Sequence, residues 1–291
     1  MLDSRPPLST QHAPADPRFA TCPDRSGTGS EKWDRWAGQE ILPMWVADMD
    51  FQTDPLIIEA LHAAVEHGVF GYTHEPPDFA PALAEHLLQR HGWQIDPASV
   101  VGMPGVVNGL AITARLLTEP GDEILTFTPI YPPFLTLPAL AGRRCKPVAL
   151  ARRLDRWEID WDALAAAISP TVKLLWLCHP HNPTGMVFSH SDLLALAEFA
   201  EVNSLRIVSD EIWADLVLDE TAGHLPFAAI DHPAARRAIT LVAPSKTWNL
   251  AGLGCAAGIV PEAHLRRQWR GAGGGLVPMV NPLGYAAAAA A

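Results

Sequence analysis

Lys173-Leu174-Leu175-Trp176-Leu177-Cys178-His179-Pro180-His181-Asn182-Pro183-Thr184-Gly185 passes from an unbroken apolar run directly into a turn sequence. A strand that is apolar at consecutive positions has no solvent-facing side. It belongs in a sheet covered on both faces, as parallel α/β sheets are. The Asn-Pro-Thr-Gly that ends the stretch is turn chemistry, with proline and glycine breaking the extended chain. Two later stretches repeat the transition: Arg206-Ile207-Val208-Ser209 runs into Asp210-Glu211-Ile212, and Ile239-Thr240-Leu241-Val242 is followed by Ser245-Lys246-Thr247-Trp248-Asn249. In open sheets of this class ligands bind beyond the carboxyl ends of the strands. Asn182, Asp210 and Lys246, far apart in sequence, are therefore expected to converge on one crevice.

Outward from these strands the pattern continues. Strands are expected at 100–103, 123–128, 146–150, 173–178, 206–209, 239–242 and 255–260, and helices between several of them, at 108–117, 161–168 and 191–202. This alternation of strand and helix predicts crossover units and a three-layer α/β/α domain with a mostly parallel sheet. Ahead of the first strand, Asp54-Pro55 is a cap followed by a proline at the first helical position, which predicts a helix to about His67 with Ile57, Ile58, Leu61, Ala64 and Val65 on its inner face. A second helix is expected over 79–91, with Leu83, Leu87 and Leu88 inward and Gly92 ending it. The expected division is a mobile Pro- and Ser-rich arm over 1–30, an N-terminal segment over 31–55, a large domain over 56–275, and over 276–291 the opening of a small C-terminal domain. Six alanines, 286–291, close the sequence without a helix cap, the mark of a helix cut short.

Composition narrows the function. A net charge of −11 over 291 residues, without a basic run, excludes a general nucleic-acid binder or a partner of anionic membranes. No apolar run is long enough to span a bilayer and no signal pattern opens the chain, so a cytoplasmic location is expected. Cys22, Cys145, Cys178 and Cys255 lie far apart with no CxxC, consistent with small core residues in a reducing compartment; no metal site is expected.

Only four lysines occur, and Lys246 lies among small and apolar residues after a buried-type strand. An ionised Asp210 behind Ile207-Val208 needs a cationic partner. An amine, a carboxylate and an amide donor are the three side chains that a pyridoxal phosphate (PLP) enzyme needs: the amine forms a Schiff base with the aldehyde, the carboxylate keeps the pyridine nitrogen protonated, and the donor holds the ring oxygen. Gly105-Val106-Val107-Asn108 opens a helix after a strand, so its free backbone N–H groups could receive the phosphate.

These residues stand in a wider set of motifs: 42–51 (Leu-Pro-Met-Trp-Val-Ala-Asp-Met-Asp-Phe), Phe70-Gly71-Tyr72, Pro104-Gly105-Val106-Val107, Tyr131-Pro132-Pro133-Phe134, Asn182 to Gly185, Ser209 to Ile212, and Ser245 to Gly252. With them the chain, from about Lys32 onward, resembles the fold-type I PLP enzymes (aminotransferase class I/II). It is most similar there to the MalY/PatB-type cystathionine and cysteine-S-conjugate β-lyases. The resemblance implies Lys246 as the Schiff-base lysine, Asp210 at the pyridine nitrogen, Asn182 at the phenolate oxygen, and Tyr131 stacked on the ring. It further implies Gly105, Val106, Val107 and Ser245 around the phosphate, and Trp45 and Ala47 near the substrate. Tyr72 matches a tyrosine that crosses to a neighbouring subunit's phosphate, which implies a homodimer with shared sites. Two positions depart from the pattern: Trp213 stands where a Tyr or His usually donates to the ring oxygen, and Gly254 where many aminotransferases place a phosphate-binding arginine. The family's substrate-carboxylate arginine falls beyond residue 291.

The expected reaction is β-elimination, in which a cysteine S-conjugate yields pyruvate, ammonia and a thiol. Transamination is the alternative within enzymes. A regulatory binding protein, or a non-catalytic remnant of the fold, is the alternative outside them.

Overall fold

The computed structural model describes residues 19–154, 156–218, 223–272 and 277–291, and the chain divides into two units between Thr53 and Asp54. Of the arm expected over 1–30, residues 1–18 lie outside the described residues. In the N-terminal unit the chain folds around two carboxylates. Asp34 accepts the backbone N–H groups of Gly27, Gly29 and Ser30 at 2.7–3.0 Å. Asp50 accepts Lys32 Nζ at 2.7 Å, Trp33 Nε1 at 2.8 Å and Arg25 at 3.0 Å. Arg25 also reaches Asp48 at 2.7 Å. Apart from a 3-10 turn over Asp34–Trp36, the described residues of this unit form short turns without α-helix or strand, and charge-assisted bonds hold them.

The second unit, from Asp54, carries the sheet. Its strands are β1 (Val100–Met103), β2 (Glu123–Thr128), β3 (Arg144–Ala149), a separate hairpin of β4 (Ala151–Arg153) and β5 (Arg156–Glu158), then β6 (Val172–Cys178), β7 (Arg206–Asp210), β8 (Ile239–Val242) and β9 (Ala256–Ile259). The seven-stranded sheet has the order β1-β9-β8-β7-β6-β2-β3, with β9 antiparallel to both neighbours and the other pairs parallel. Side chains alternate between two cores, as a pleated strand requires. Leu174, Trp176 and Cys178 of β6 join one cluster with Val208, Ile239 and Leu241, whereas Leu175 and Leu177 join the other with Leu125, Phe127 and Ile207. The first face is covered by α3 (Val106–Leu117), α4 (Pro133–Leu140) and α8 (Ala263–Ala272), and the second by α5 (Trp161–Ala166), α6 (His190–Val202) and α7 (Pro233–Arg236). This is the three-layer α/β/α arrangement expected.

Helices α1 (Pro55–Glu66) and α2 (Phe79–His91) begin and end where their signals lie. Asp54 caps α1 by accepting the Leu56 N–H, and Gly92 ends α2 in the left-handed conformation at φ 64°. Their inner faces are narrower than expected. Ile58, Val65 and Leu88 are exposed; Ile57 and Leu87 are buried, and Leu61, Ala64 and Leu83 beside them are half-buried. A helix packed on one side has room for only part of each turn. Strand β3 starts at Arg144, two residues before the expected position, because its ladder with β2 opens at Glu123 opposite Arg144. The prolines at 132, 133 and 138 mask α4 in the sequence, although Pro133 occupies the first turn, where its missing N–H costs nothing.

The last helix, α9 (Pro282–Ala290), packs against α1 and α2, with Tyr285 and Ala287 buried. Asn281 caps it through the Gly284 N–H. A Cβ at Gly284 would stand 2.6 Å from the Leu253 carbonyl oxygen, a backbone atom with little freedom to move. Helix propensity alone favours alanine there by about 1 kcal/mol. Overpacking costs about 1–3 kcal/mol and should prevail. Gly284→Ala is therefore expected to lower the thermal midpoint, read by circular dichroism, although alanine is the better helix former.

Candidate active site

Three consecutive parallel strands deliver the predicted residues to one end of the sheet. β6 and β7 pair with Cys178 opposite Asp210, and β7 and β8 with Asp210 opposite Leu241. Asn182 therefore follows β6 by one turn, Asp210 ends β7, and Lys246 lies in the turn after β8. The loops are fixed to the strand ends by backbone bonds: His179 N–H to Asp210 O and Glu211 N–H to Leu241 O, both 2.8 Å, and Trp248 N–H to Pro244 O at 2.9 Å. Asn249 adopts φ 56°, a left-handed conformation that asparagine tolerates better than most residues.

Asp210 is 5 % exposed and faces the α3 side of the sheet, beside Cys178. Its Oδ1 accepts the Ile212 N–H at 3.1 Å, the only hydrogen bond to its side chain among the described residues. Burial pushes its carboxyl up to about 7; the neighbouring Glu211 adds to the rise, while the Ile212 amide and the Lys246 charge oppose it. Lys246 lies within electrostatic reach of Asp210, and its Nζ stands 5.5 Å from the centroid of the Trp213 ring. Trp213 otherwise packs on the α3-side core. The indole thus stands beside the lysine as a cation–π partner.

The other predicted residues surround this pair to different degrees. Half-buried Asn182 shares a cavity of about 390 Å³ with Trp213, Leu216 and Val217. Its N–H points to Cys178 Sγ at 3.5 Å. His181 Nε2 meets Pro129 O at 2.8 Å, tying the Asn182 loop to the turn after β2 that carries the exposed Tyr131. Gly105 precedes α3, whose first intrahelical bonds, to Gly105 O, come from Asn108 and Gly109. The amides of Val106 and Val107 therefore lie ahead of the helical ladder, at the positive end of the helix. Ser245 immediately precedes Lys246. Gly254 adopts φ 57°, a conformation that disfavours any arginine there. Tyr72 is fully exposed in the segment between α1 and α2. Trp45 and Ala47 belong to the N-terminal unit.

Two polar clusters next to these residues escaped the sequence reading. Glu211, 2 % exposed, accepts Ser209 Oγ at 2.7 Å, Phe227 N–H at 3.0 Å and His224 Nε2 at 2.8 Å. Burial alone would raise its carboxyl; the His224 bond, with His179 nearby, outweighs that and holds it below the usual carboxylate range. The same burial, with His224 beside it, lowers His179 to about 4. In the second cluster Asp215 accepts His91 Nε2 at 2.9 Å, His86 Nε2 at 3.2 Å and Thr247 Oγ1 at 3.1 Å. The polar run 209–211 after an apolar strand was a signal for Glu211. Its histidine partners come from distant segments, and no local pattern joins them.

A buried acid that resists ionisation, a lysine near it, and free amides at the start of α3 on the same sheet face form a site suited to an aromatic phosphate with a basic ring nitrogen. The chain is 39% identical over 251 residues to cystathionine beta-lyase PatB of Bacillus subtilis, a match covering 84% of this chain and 65% of that protein. The crystal structure of OvoB superposes with a TM-score of 0.88 at 43% identity, over 92% of this chain and 70% of that one. Cystalysin from Treponema denticola, whose structure contains pyridoxal 5′-phosphate, superposes with a TM-score of 0.88 at 30% identity, over 93% and 70%. The chain thus spans just under two thirds of the length of PatB. Residues 41–291 match the family model for aminotransferase class I and II, and the chain belongs to that family.

Proposed function

We propose that this site binds pyridoxal phosphate and catalyses β-elimination on cystathionine or related cysteine S-conjugates, giving pyruvate, ammonia and a thiol. The observation that carries the reading is Asp210: a carboxyl buried behind a parallel strand, raised to about 7, with one amide donor among the described residues. A protonated ring nitrogen is the partner such a group lacks, and its charge would return the acid to the ionised state. When bound, the cofactor supplies an aldehyde for amines and a ring that accepts the electron pair released at the substrate Cα.

The chain's own residues divide the remaining work. Asp210 would hold the ring nitrogen protonated, Asn182 and Trp213 would donate to the ring oxygen, and Tyr131 would cover a ring face. Val106 and Val107 N–H, with the Ser245 hydroxyl and with Gly105 at the helix entry, would receive the phosphate. Lys246 would attach the cofactor, then release it to the substrate amine and move the Cα proton. The same reading includes a cytoplasmic homodimer in which Tyr72 reaches the other subunit's phosphate; the exposed apolar run Val69, Phe70 and Tyr72 supports such a contact. Among the described residues no helix is long and apolar enough to cross a membrane.

Transamination remains the second reading, favoured by the family description itself. Cystathionine added to the PLP-loaded protein separates the two. Pyruvate released in many turnovers supports elimination, whereas one turnover followed by a 2-oxo acid requirement supports transamination.

Lys246→Ala is expected to abolish the borohydride-reducible lysine adduct and pyruvate release together, with the circular dichroism spectrum unchanged. An adduct retained in the variant would refute the assignment. Asp210→Asn is expected to keep some cofactor and lose most turnover.

Asp210 also predicts a pH dependence. An acid whose folded-state pKa is raised holds its proton more tightly in the folded chain. The cofactor-free protein should therefore lose stability as pH rises from about 3.8, the ordinary value, to about 7. The loss is on the order of 4 kcal/mol at most, since each pH unit of difference is worth about 1.4 kcal/mol. In urea unfolding, Asp210→Asn should match the cofactor-free wild type near pH 4 and exceed it at pH 8. Saturating PLP should erase the wild-type deficit.

A further inference from the structure

The cluster around Asp215 joins three segments of the second unit. Its carboxylate accepts His86 and His91 from α2 on one side and the Thr247 hydroxyl on the other. Thr247 is the residue after Lys246. The His91 side chain is 4 % exposed and that of Asp215 16 %, so the His91 bond is largely shielded from competing water, whereas His86 is 36 % exposed. The two imidazoles hold the Asp215 carboxyl far below the usual range against the opposing effect of burial. Asp215 itself is fixed to the chain that carries Asp210 and Trp213: the turn after β7 closes through Ala214 N–H to Glu211 O at 3.0 Å.

We propose that Asp215 is a positioning residue for Lys246: clamped to α2 by His91 and His86, it holds the Thr247 hydroxyl and fixes the peptide from which Nζ extends. The proposal rests on the reading of Lys246 given above. It follows from the tasks assigned to that amine, which must reach the cofactor in one state and the substrate Cα in another. Both are bond-making distances, and a displacement on the order of 1 Å can cost about 100-fold in rate. A loop lysine with four rotatable bonds reaches a defined point only when its backbone does not move. The Trp248 N–H to Pro244 O and Leu250 N–H to Ser245 O bonds hold the turn from within, at 2.9 and 3.0 Å. The Thr247 hydroxyl, donating to Asp215 at 3.1 Å, ties this turn by a side chain to the segment after β7.

The test compares Thr247→Val, Thr247→Ser and Asp215→Asn in the full chain. The valine variant keeps shape and removes only the hydroxyl, so it answers even if Asp215→Asn folds poorly. Amide exchange of the peptide covering 245–250, measured by mass spectrometry with and without PLP, reads the clamp without reference to catalysis. Thr247→Val and Asp215→Asn should speed that exchange at least about tenfold while the β6 peptide keeps its rate, and Thr247→Ser should restore protection. With cystathionine, the first two should lower kcat by about 10- to 100-fold with KM within about twofold. Unchanged exchange in Thr247→Val overturns the clamp, and faster exchange with unchanged kcat overturns the positioning role. The ligand atoms of His86, His91 and Asp215 lie within 4.8 Å of one another. One equivalent of zinc in the purified wild type, lost in His91→Gln, would show these side chains to be metal ligands and overturn the hydrogen-bonded clamp. Absence of a lysine-bound cofactor in the wild type would remove the PLP reading, and the exchange data would still decide the clamp.

Discussion

The double-sided burial of β6 is the constraint on which the rest depends. Leu174, Leu175, Trp176 and Leu177 are all fully buried, so both faces of the sheet must be roofed by helices. Once α3, α4 and α8 cover one face and α5, α6 and α7 the other, polar chemistry has nowhere to go except the strand ends. The order β8-β7-β6 then sets the spacing of the site: three neighbouring strands release three loops side by side, each carrying one of the groups that the proposed chemistry needs.

The end of β7 shows how finely the pleat divides that chemistry. Asp210 and Glu211 are adjacent, both nearly fully buried, and driven in opposite directions. Glu211 finds His224, Ser209 and a backbone amide and stays ionised. Asp210 has one amide and resists ionisation. One residue of register decides which carboxylate is satisfied inside the protein and which requires something from outside it. The negative charge of Glu211 also makes Asp210 more demanding of a cation, so a group satisfied by the fold raises the selectivity of its neighbour.

Much of this is legible in the sequence. The seven strands of the main sheet followed from apolar runs, although the β4–β5 hairpin did not; α1 and α2 followed from Asp54, Pro55 and Gly92, and the convergence of Asn182, Asp210 and Lys246 from the geometry of parallel sheets. What was not legible depended on contacts between distant segments. Ile58, Val65 and Leu88 fit an inward face by periodicity and point outward because the neighbouring elements cover only part of each helix. The proline-rich start of α4 reads as a loop until Pro133 is seen in the first turn. The Asp215 cluster is drawn from residues 86, 91, 215 and 247, and a short sequence window contains at most two of them.

Cys178 ends β6 directly opposite Asp210, 2 % exposed, with its thiol pushed far up by burial and by the Asp210 charge. A sulfur in that state is neither reachable nor nucleophilic while the strand end is closed. It becomes an ordinary thiol only when β6 and β7 separate there. The same chain carries Cys22 on its surface. A brief pulse of an alkylating reagent would therefore mark Cys22 in every molecule and Cys178 only in those whose sheet has opened. The protein contains its own clock for the lifetime of the crevice, with the reference built in.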